Sequence, residues 1–83
     1  MRRVEWVDSY HDDEPRDQQA DLFGPYWASI GPDVRRDPEG WSWTILHFDA
    51  DNVEVASGFA DDERSAKRAV KRAARRLRRR GSA

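Results

Sequence analysis

The sequence predicts an α+β fold in which one C-terminal amphipathic helix packs across a three-stranded antiparallel sheet, or a four-stranded one if an N-terminal strand joins it. Three strand-like segments within residues 26–60 predict the sheet, because Gly, Pro and Asp turn signals bound them. The first of these, residues 26–30, lies between two Gly-Pro pairs. An apolar period of 3.6 residues over 62–79 predicts the helix. Since 83 residues suit one small core, we expect a single domain over residues 1–83.

The N-terminal quarter of the chain predicts one short strand followed by an irregular acidic segment. Residues 3–7 place Val4 and Trp6 on the same side of a strand, by the two-residue period. Residues 8–21 then hold six acidic residues against the single basic residue Arg16, together with one proline. This segment has no aliphatic side chain larger than alanine before its end. We therefore expect residues 8–21 to form an acidic loop or mobile arm.

Residues 41–48 give the strongest strand signal, because large side chains alternate there with Ser and Thr. Residues 53–59 follow as the antiparallel partner, after a polar turn in which Asn52 can adopt the left-handed conformation. A polar loop is expected over residues 31–40. Within the second of the two strands, Gly58 indicates a bulge or a close approach of the backbone to a neighbour.

The helix predicted over residues 62–79 has both a start signal and an apolar stripe. Asp61 or Asp62 can cap it, and both place negative charge at the positive end of the helix dipole. Gly81 closes the run. Because alanine is small, the helix can lie close to the sheet, with bulky strand side chains filling the interface. The stripe consists of Ala66, Ala69, Val70, Ala73, Ala74 and Leu77.

Charge is divided unequally along the chain. Residues 1–63 carry 16 Asp and Glu against five Arg, whereas residues 64–83 carry ten Lys and Arg and no acid, and the net charge of the whole is −1. Like charges four residues apart destabilise a helix by about 0.2–0.5 kcal/mol per pair, so an all-cation face needs an anion. The candidate nucleic-acid-binding residues are the six cations opposite the apolar stripe: Arg64, Arg68, Lys71, Arg72, Arg75 and Arg79.

Three sources of that anion are open from the sequence. Nucleic acid is preferred, because arginine pairs bidentately with phosphate and a row of arginines can follow a DNA or RNA backbone. The alternative is a protein–protein interaction module, a binder of a host or phage protein, whose basic helix is neutralised by an acidic partner surface. The chain could also neutralise itself, because its acidic segment 8–21 or the acidic loops around Asp33, Asp37, Asp49 and Asp51 could lie over the helix. A membrane is not an expected partner, because the opposite helix face offers alanine rather than large apolar side chains.

No residue pattern indicates catalysis, a metal, a cofactor or a small-molecule substrate. Trp41 and Trp43 could stack on bases, but in a domain with few large aliphatics they fit the core better. The ligand-capable residues 11–14 are neighbours in an acidic segment and define no coordination geometry, and His47 lies in a strand. The chain lacks cysteine and shows no nucleophile elbow or phosphate-binding loop. We expect a non-enzymatic, cytoplasmic protein without a signal peptide or membrane span.

The half of the chain from Trp41 onward carries a recognisable pattern of strand, strand and alanine-rich helix. Residues 41–45 read Trp-Ser-Trp-Thr-Ile, residues 56–60 read Ala-Ser-Gly-Phe-Ala, and the alanine-rich helix follows. This pattern resembles small proteins encoded by actinobacterial phages and their hosts, in which a hairpin leads into an Ala-rich helix. The resemblance implies a phage or prophage accessory protein in the host cytoplasm. The helices of that group are more acidic, so the basic helix of this chain departs from it.

Overall fold

The structure, a computed structural model, describes residues 4–8, 16–33, 35 and 39–81. Five antiparallel strands form one sheet whose spatial order follows the chain, and one helix follows the last strand. The α+β class, the antiparallel sheet and the C-terminal helix are therefore confirmed, whereas the strand number of three or four was wrong. The elements are β1 (Val7–Asp8), β2 (Gln18–Asp21), β3 (Tyr26–Asp33), β4 (Gly40–His47), a 3₁₀ turn (Phe48–Ala50), β5 (Val53–Ala60) and α1 (Glu63–Gly81).

The additional strand is β2, which lies at the end of the segment expected to be an acidic loop or mobile arm. β2 pairs with β3, with Gln18 opposite Ile30 and Ala20 opposite Ala28. Ala20 is buried, so the small side chain is packed even though the segment has no strand-favouring residue. The loop prediction over 8–21 was thus wrong for these four residues, and positions 9–15 lie outside the described part of the chain.

The N-terminal strand is shorter than expected and begins later. β1 contains only two residues, paired with Gln19 and Gln18 of β2. Val4 to Trp6 have no strand geometry, but the Trp6 side chain packs against the hydrophobic core. The ammonium of Lys67 lies 5.8 Å from the centre of the Trp6 ring, a cation–π distance. Trp6 therefore holds the start of the chain against the flank of the helix.

The expected loop over residues 31–40 is shortened from both ends, since β3 continues to Asp33 and β4 starts at Gly40. Proline is excluded from the middle of a sheet because it donates no ladder hydrogen bond. β2 begins at Gln18, opposite Ile30, so Pro32 lies where β3 is paired with a strand on one side only. This local edge lets the strand run through Gly31 and Pro32.

The β4–β5 hairpin contains the special backbone positions that the sequence indicated. Asn52 has a φ of 58°, as expected, and Asp51 shares the left-handed conformation with a φ of 54°. The pairing register shifts between Ile45 and Leu46, where β5 accommodates one extra residue in a bulge. Gly58 lies opposite Trp43, and a Cβ built on this glycine would lie 2.8 Å from the Trp43 indole. The close approach at Gly58 is therefore to an aromatic side chain.

The core lies between one face of the sheet and the alanine stripe of α1. Ile30, Ile45 and Val70 are its largest fully buried side chains. Small helix residues allow the backbone of α1 to lie close to the strands, while Trp41 and Trp43 pack as partly buried side chains against the same cluster. This arrangement confirms the expected pairing of small helix residues with bulky strand residues. The described cluster is built from Ala28, Ile30, Ile45, Ala66, Val70 and Ala73.

Asp62 caps the helix, as one of the two expected capping residues. Its Oδ1 accepts a hydrogen bond of 2.7 Å from the backbone N–H of Ser65, which satisfies one of the free amides of the first turn. That backbone hydrogen bond, joined by one from the Ser65 side chain and by the nearby charges of Arg68 and Arg64, lowers the pKa of Asp62 below its ordinary value of 3.8. The carboxylate thus stays charged at the positive end of the helix dipole.

We expect acid to weaken the protein through Asp62. Because the pKa of Asp62 is lower in the folded than in the unfolded chain, its stabilisation is complete above the unfolded value of 3.8 and is lost as the pH falls through the folded value. Asp62→Asn should keep the cap and flatten this part of the pH dependence, whereas Asp62→Ala should lower stability at neutral pH as well. Thermal unfolding between pH 2.5 and 7 measures both. Identical pH curves for Asp62→Asn and the wild type would contradict the prediction.

Candidate nucleic-acid interface

The six cations named from the sequence all lie on the solvent side of α1. Each is exposed, whereas Ala66, Val70 and Ala74 on the opposite side are fully buried. The helix is held to the sheet through that apolar side, so the fold itself directs the cations outward. We call this set the cationic surface: Arg64, Arg68, Lys71, Arg72, Arg75 and Arg79.

The cationic surface is narrow and long. At 100° per residue its members fall within an arc of about 100°, opposite the buried stripe. From Arg64 to Arg79 it extends about 22 Å along the axis, at 1.5 Å per residue. That is about one cation per 4 Å, close to the axial spacing of about 3.4 Å between phosphates along one strand of B-DNA. The surface therefore matches a linear array of anions in both shape and charge spacing.

No acidic side chain of the described residues neutralises the cationic surface by contact. None of its six side chains makes a hydrogen bond or an ion pair with another described residue. Two described acids pair with other arginines: Glu39 with Arg16 at 2.9 Å, and Asp33 with Arg35 at 3.4 Å. Glu63 pairs with Lys67 at 3.7 Å. Arg64 and Arg68 act on Asp62 only through longer-range attraction.

The described part of the acidic segment lies in or beside the sheet. Asp8 and Asp21 belong to β1 and β2. The carboxylate of Asp17 lies against Gly31 of β3, in the space that a Cβ would occupy. Gln18 of β2 donates a hydrogen bond to Glu63 at the start of α1. These positions place the end of the segment along the strands, away from the outward face of the helix.

Three further arginines widen the surface toward the C-terminal end of α1. Arg76, Arg78 and Arg80 are exposed although the sequence pattern placed them at the flank of the stripe or did not assign them. Only a narrow stripe of the helix is buried, so most of its circumference faces solvent. The small alanine side chains of that stripe could have predicted this exposure. Lys67 differs, because only 33% of its side chain is exposed, between Glu63 and Trp6.

The aromatic residues contribute to the fold more than to this surface. Trp41 and Trp43 pack against the core, which confirms the core interpretation over the stacking platform. Trp27 lies on the other face of the sheet, where its Nε1 donates a 2.9 Å hydrogen bond to Asn52. His47 packs edge-on against Tyr26 with ring centres 5.1 Å apart.

The described parts of the chain contain neither a candidate metal cluster nor a candidate membrane-spanning helix. Over residues 4–8, 16–33, 35 and 39–81, no three His, Cys, Asp or Glu side chains group closely enough to hold a metal ion. The ligand-capable residues 11–14 lie outside those ranges. No helix within the same ranges is long and apolar enough to cross a membrane.

Because the cationic surface has no ion-pair partner among the described residues, stability should have a diagnostic dependence on salt. Pairs such as Arg64–Arg68 and Arg68–Arg72 repel, and four such pairs within the surface cost about 1–2 kcal/mol together. Raising NaCl from 50 to 500 mM screens them. We therefore expect the free energy of unfolding to rise by about 1 kcal/mol, as measured by urea titration. If an acidic segment covered the cationic surface, added salt would instead lower the free energy of unfolding. An Arg68→Gln/Arg72→Gln/Arg75→Gln variant should show a smaller rise.

Comparisons with known proteins leave the site to be interpreted from its own geometry. No family model, no curated protein and no solved structure matches this chain.

Proposed function

We propose that this protein is a non-enzymatic nucleic-acid-binding accessory protein that contacts the phosphate backbone through the cationic surface of α1. One observation carries the proposal: six exposed cations lie along one helix face with no ion-pair partner among the described residues. A phage or prophage role in the host cytoplasm, which the hairpin-and-helix pattern implies, belongs to the same proposal.

Phosphate contact rather than base reading suits the chemistry of this face. Arginine and lysine bind phosphate oxygens by charge and hydrogen bonding, which positions a protein without specifying a sequence. The six members of the surface are all Arg or Lys, with no Asn or Gln amide to read adenine, so direct base contacts from this face would be limited to guanine. We therefore infer binding with weak dependence on nucleotide sequence and strong dependence on salt.

The test is a binding titration at several NaCl concentrations with double-stranded DNA, single-stranded DNA and RNA. If all six cations contact phosphate, the logarithm of the association constant should fall with log[salt] with a slope of about −5 for duplex DNA and about −4 for single strands. Between 50 and 200 mM salt this is a loss of about 10³-fold. Two duplexes of equal length and unrelated sequence should bind within a few-fold of each other.

A charged polymer without phosphate separates nucleic acid from an acidic protein partner. Poly-L-glutamate has negative charges but lacks the phosphate oxygens that pair with arginine forks. At equal charge concentration it should bind more weakly than DNA or RNA. Equal binding would favour the protein–protein module instead, and no retention of any nucleic acid at 50 mM salt would overturn the proposed function.

A further inference from the structure

The outer edge of β5 has no strand beside it among the residues that the structure describes. In the sheet order, β5 is last and pairs only with β4. It contains eight residues, Val53–Ala60, and is therefore about 27 Å long at 3.4 Å per residue. An edge strand presents a row of backbone N–H and C=O groups that can pair with another chain.

β5 lacks most of the features by which proteins protect such an edge. Its sequence has one charged residue, Glu54, and neither lysine nor proline. Val53 and Val55 are exposed, at 54% and 37%. The bulge at Val55 lies where β5 pairs with β4, so Ala56 to Ala60 form an unbroken antiparallel ladder with that strand. Charged side chains, and lysine in particular, are the usual protection, so an edge with Glu54 as its single charge is open to a partner.

We propose that the partner is a second copy of this chain, paired antiparallel along β5 about a two-fold axis. β1, at the other edge of the sheet, has only two residues and is too short to pair along the length of β5. The strand that matches β5 in length is therefore β5 itself. Two copies related in this way join their five-stranded sheets into one sheet of ten strands, and the same residues form both sides of the single interface.

The side chains of β5 are self-complementary about Ser57. Exposed and half-buried residues alternate from Val55 to Ala60, so one face of the strand has the exposed side chains. With Ser57 opposite its own copy, Val55 of each chain lies opposite Phe59 of the other. Glu54 then lies opposite Ala60, so the single charge of the strand does not face its own copy. This register pairs apolar with apolar residues and avoids like charges.

The pairing brings two cationic surfaces onto one side of the combined sheet. The axis is perpendicular to the sheet, so both helices stay on the same face. α1 lies over β3, β4 and β5. If each helix is centred on its β4, three strand spacings separate the helices by about 14 Å. Their repulsion opposes the dimer at low salt. A polyanion that contacts both helices should strengthen the dimer, a consequence that rests on the proposed function.

Mass measurement at 300 mM NaCl without nucleic acid tests the pairing independently of that function. Wild-type protein should sediment at twice the monomer mass of 9.7 kDa. Val55→Lys should reduce the mass to that of the monomer. Val7→Lys, an exposed valine on the opposite edge, is the matched control and should stay dimeric. A monomeric wild type up to millimolar concentration, or equal dissociation of both variants, would overturn the pairing.

A cysteine cross-link tests the register and does not depend on the Lys variants folding. The chain has no cysteine, so Ser57→Cys introduces one thiol per copy. Facing Cβ atoms of an antiparallel pair lie within reach of a disulfide after small adjustments. Mild oxidation should cross-link Ser57→Cys and leave Ser29→Cys, on β3, monomeric on denaturing gels. Equal cross-linking of the two overturns the proposal. Loss of dimerisation in Val55→Lys with retained DNA binding would leave the proposed function intact.

Discussion

Reversing three charges of the cationic surface should abolish nucleic-acid binding and at the same time stabilise the fold. The variant is Arg68→Glu/Arg72→Glu/Arg75→Glu. Each phosphate contact contributes about 0.9 log unit of affinity at 0.1 M salt, so losing three lowers affinity by roughly 500-fold before any new repulsion is counted. We expect a total loss of roughly 10³-fold or more, measured by fluorescence anisotropy with duplex DNA.

The gain in stability follows from the same charges. In the triple variant, the glutamates at positions 68, 72 and 75 each attract a cation one turn away, and the pairs among them that remain repulsive are 68–72 and 72–75. Four repulsive pairs become attractive, which is worth about 2 kcal/mol in the free energy of unfolding. Few substitutions would be expected to raise stability while removing binding. Unfolding therefore cannot explain the lost affinity if urea titration shows the rise.

A charge-conserving variant is the matched control. Arg68→Lys/Arg72→Lys/Arg75→Lys keeps every positive charge but replaces planar guanidinium forks with ammonium groups. Its salt slope should equal that of the wild type, with affinity lower by less than about tenfold. If the Glu variant binds as tightly as this Lys variant, the helix face is not where nucleic acid contacts the protein.

Substitution of Gly58 by alanine should markedly destabilise the sheet, although it adds only one methyl group. A Cβ at this position would lie 2.8–2.9 Å from three atoms of the Trp43 indole. Trp43 packs against the core and cannot simply swing into solvent. Gly58→Ala therefore forces the indole or β5 to move, and overpacking of this kind costs about 1–3 kcal/mol. Urea unfolding measures the loss, with Ser57→Ala, on the exposed face of the same strand, as the control.

The cause can be separated from a general effect of glycine replacement by a double-mutant cycle. Combined with Trp43→Leu, which removes the indole, Gly58→Ala should cost much less than in the wild type. The difference between the two costs is the coupling between Gly58 and Trp43. Additive effects would show that the backbone of β5, rather than contact with the indole, requires glycine.

The parts of the fold that were predictable have strong local signals. The helix was expected over 62–79 and spans Glu63–Gly81, because the cap and the 3.6-residue period are both contained in the segment. β5 was expected over 53–59 and ends one residue later, at Ala60. β2 was missed because Gln18 to Asp21 include no β-branched or aromatic residue. These residues form a strand only because β3 offers an edge beside them.

The cationic surface was predictable because it follows from helix periodicity alone. What periodicity could not show is where the counter-charges lie, since that depends on which strands the acidic residues join. The hydrogen bond from Trp27 to Asn52, and the packing of Trp6 against Lys67, likewise connect residues far apart in sequence. Such contacts depend on strand order and on the position of α1, which a single sequence does not contain.

The alanine-lined contact between α1 and the sheet separates the architecture of this protein from its surface chemistry. None of the arginines of α1 takes part in the described hydrophobic cluster, whose buried members are Ala, Val and Ile. The outward half of the helix can therefore be rewritten, from basic to acidic or neutral, without altering how the chain folds. Evolution can exchange ligands on such a scaffold by point substitution. Chains that share this architecture would then diverge in what they bind, and helix charge, rather than fold, would be the trait to compare among them.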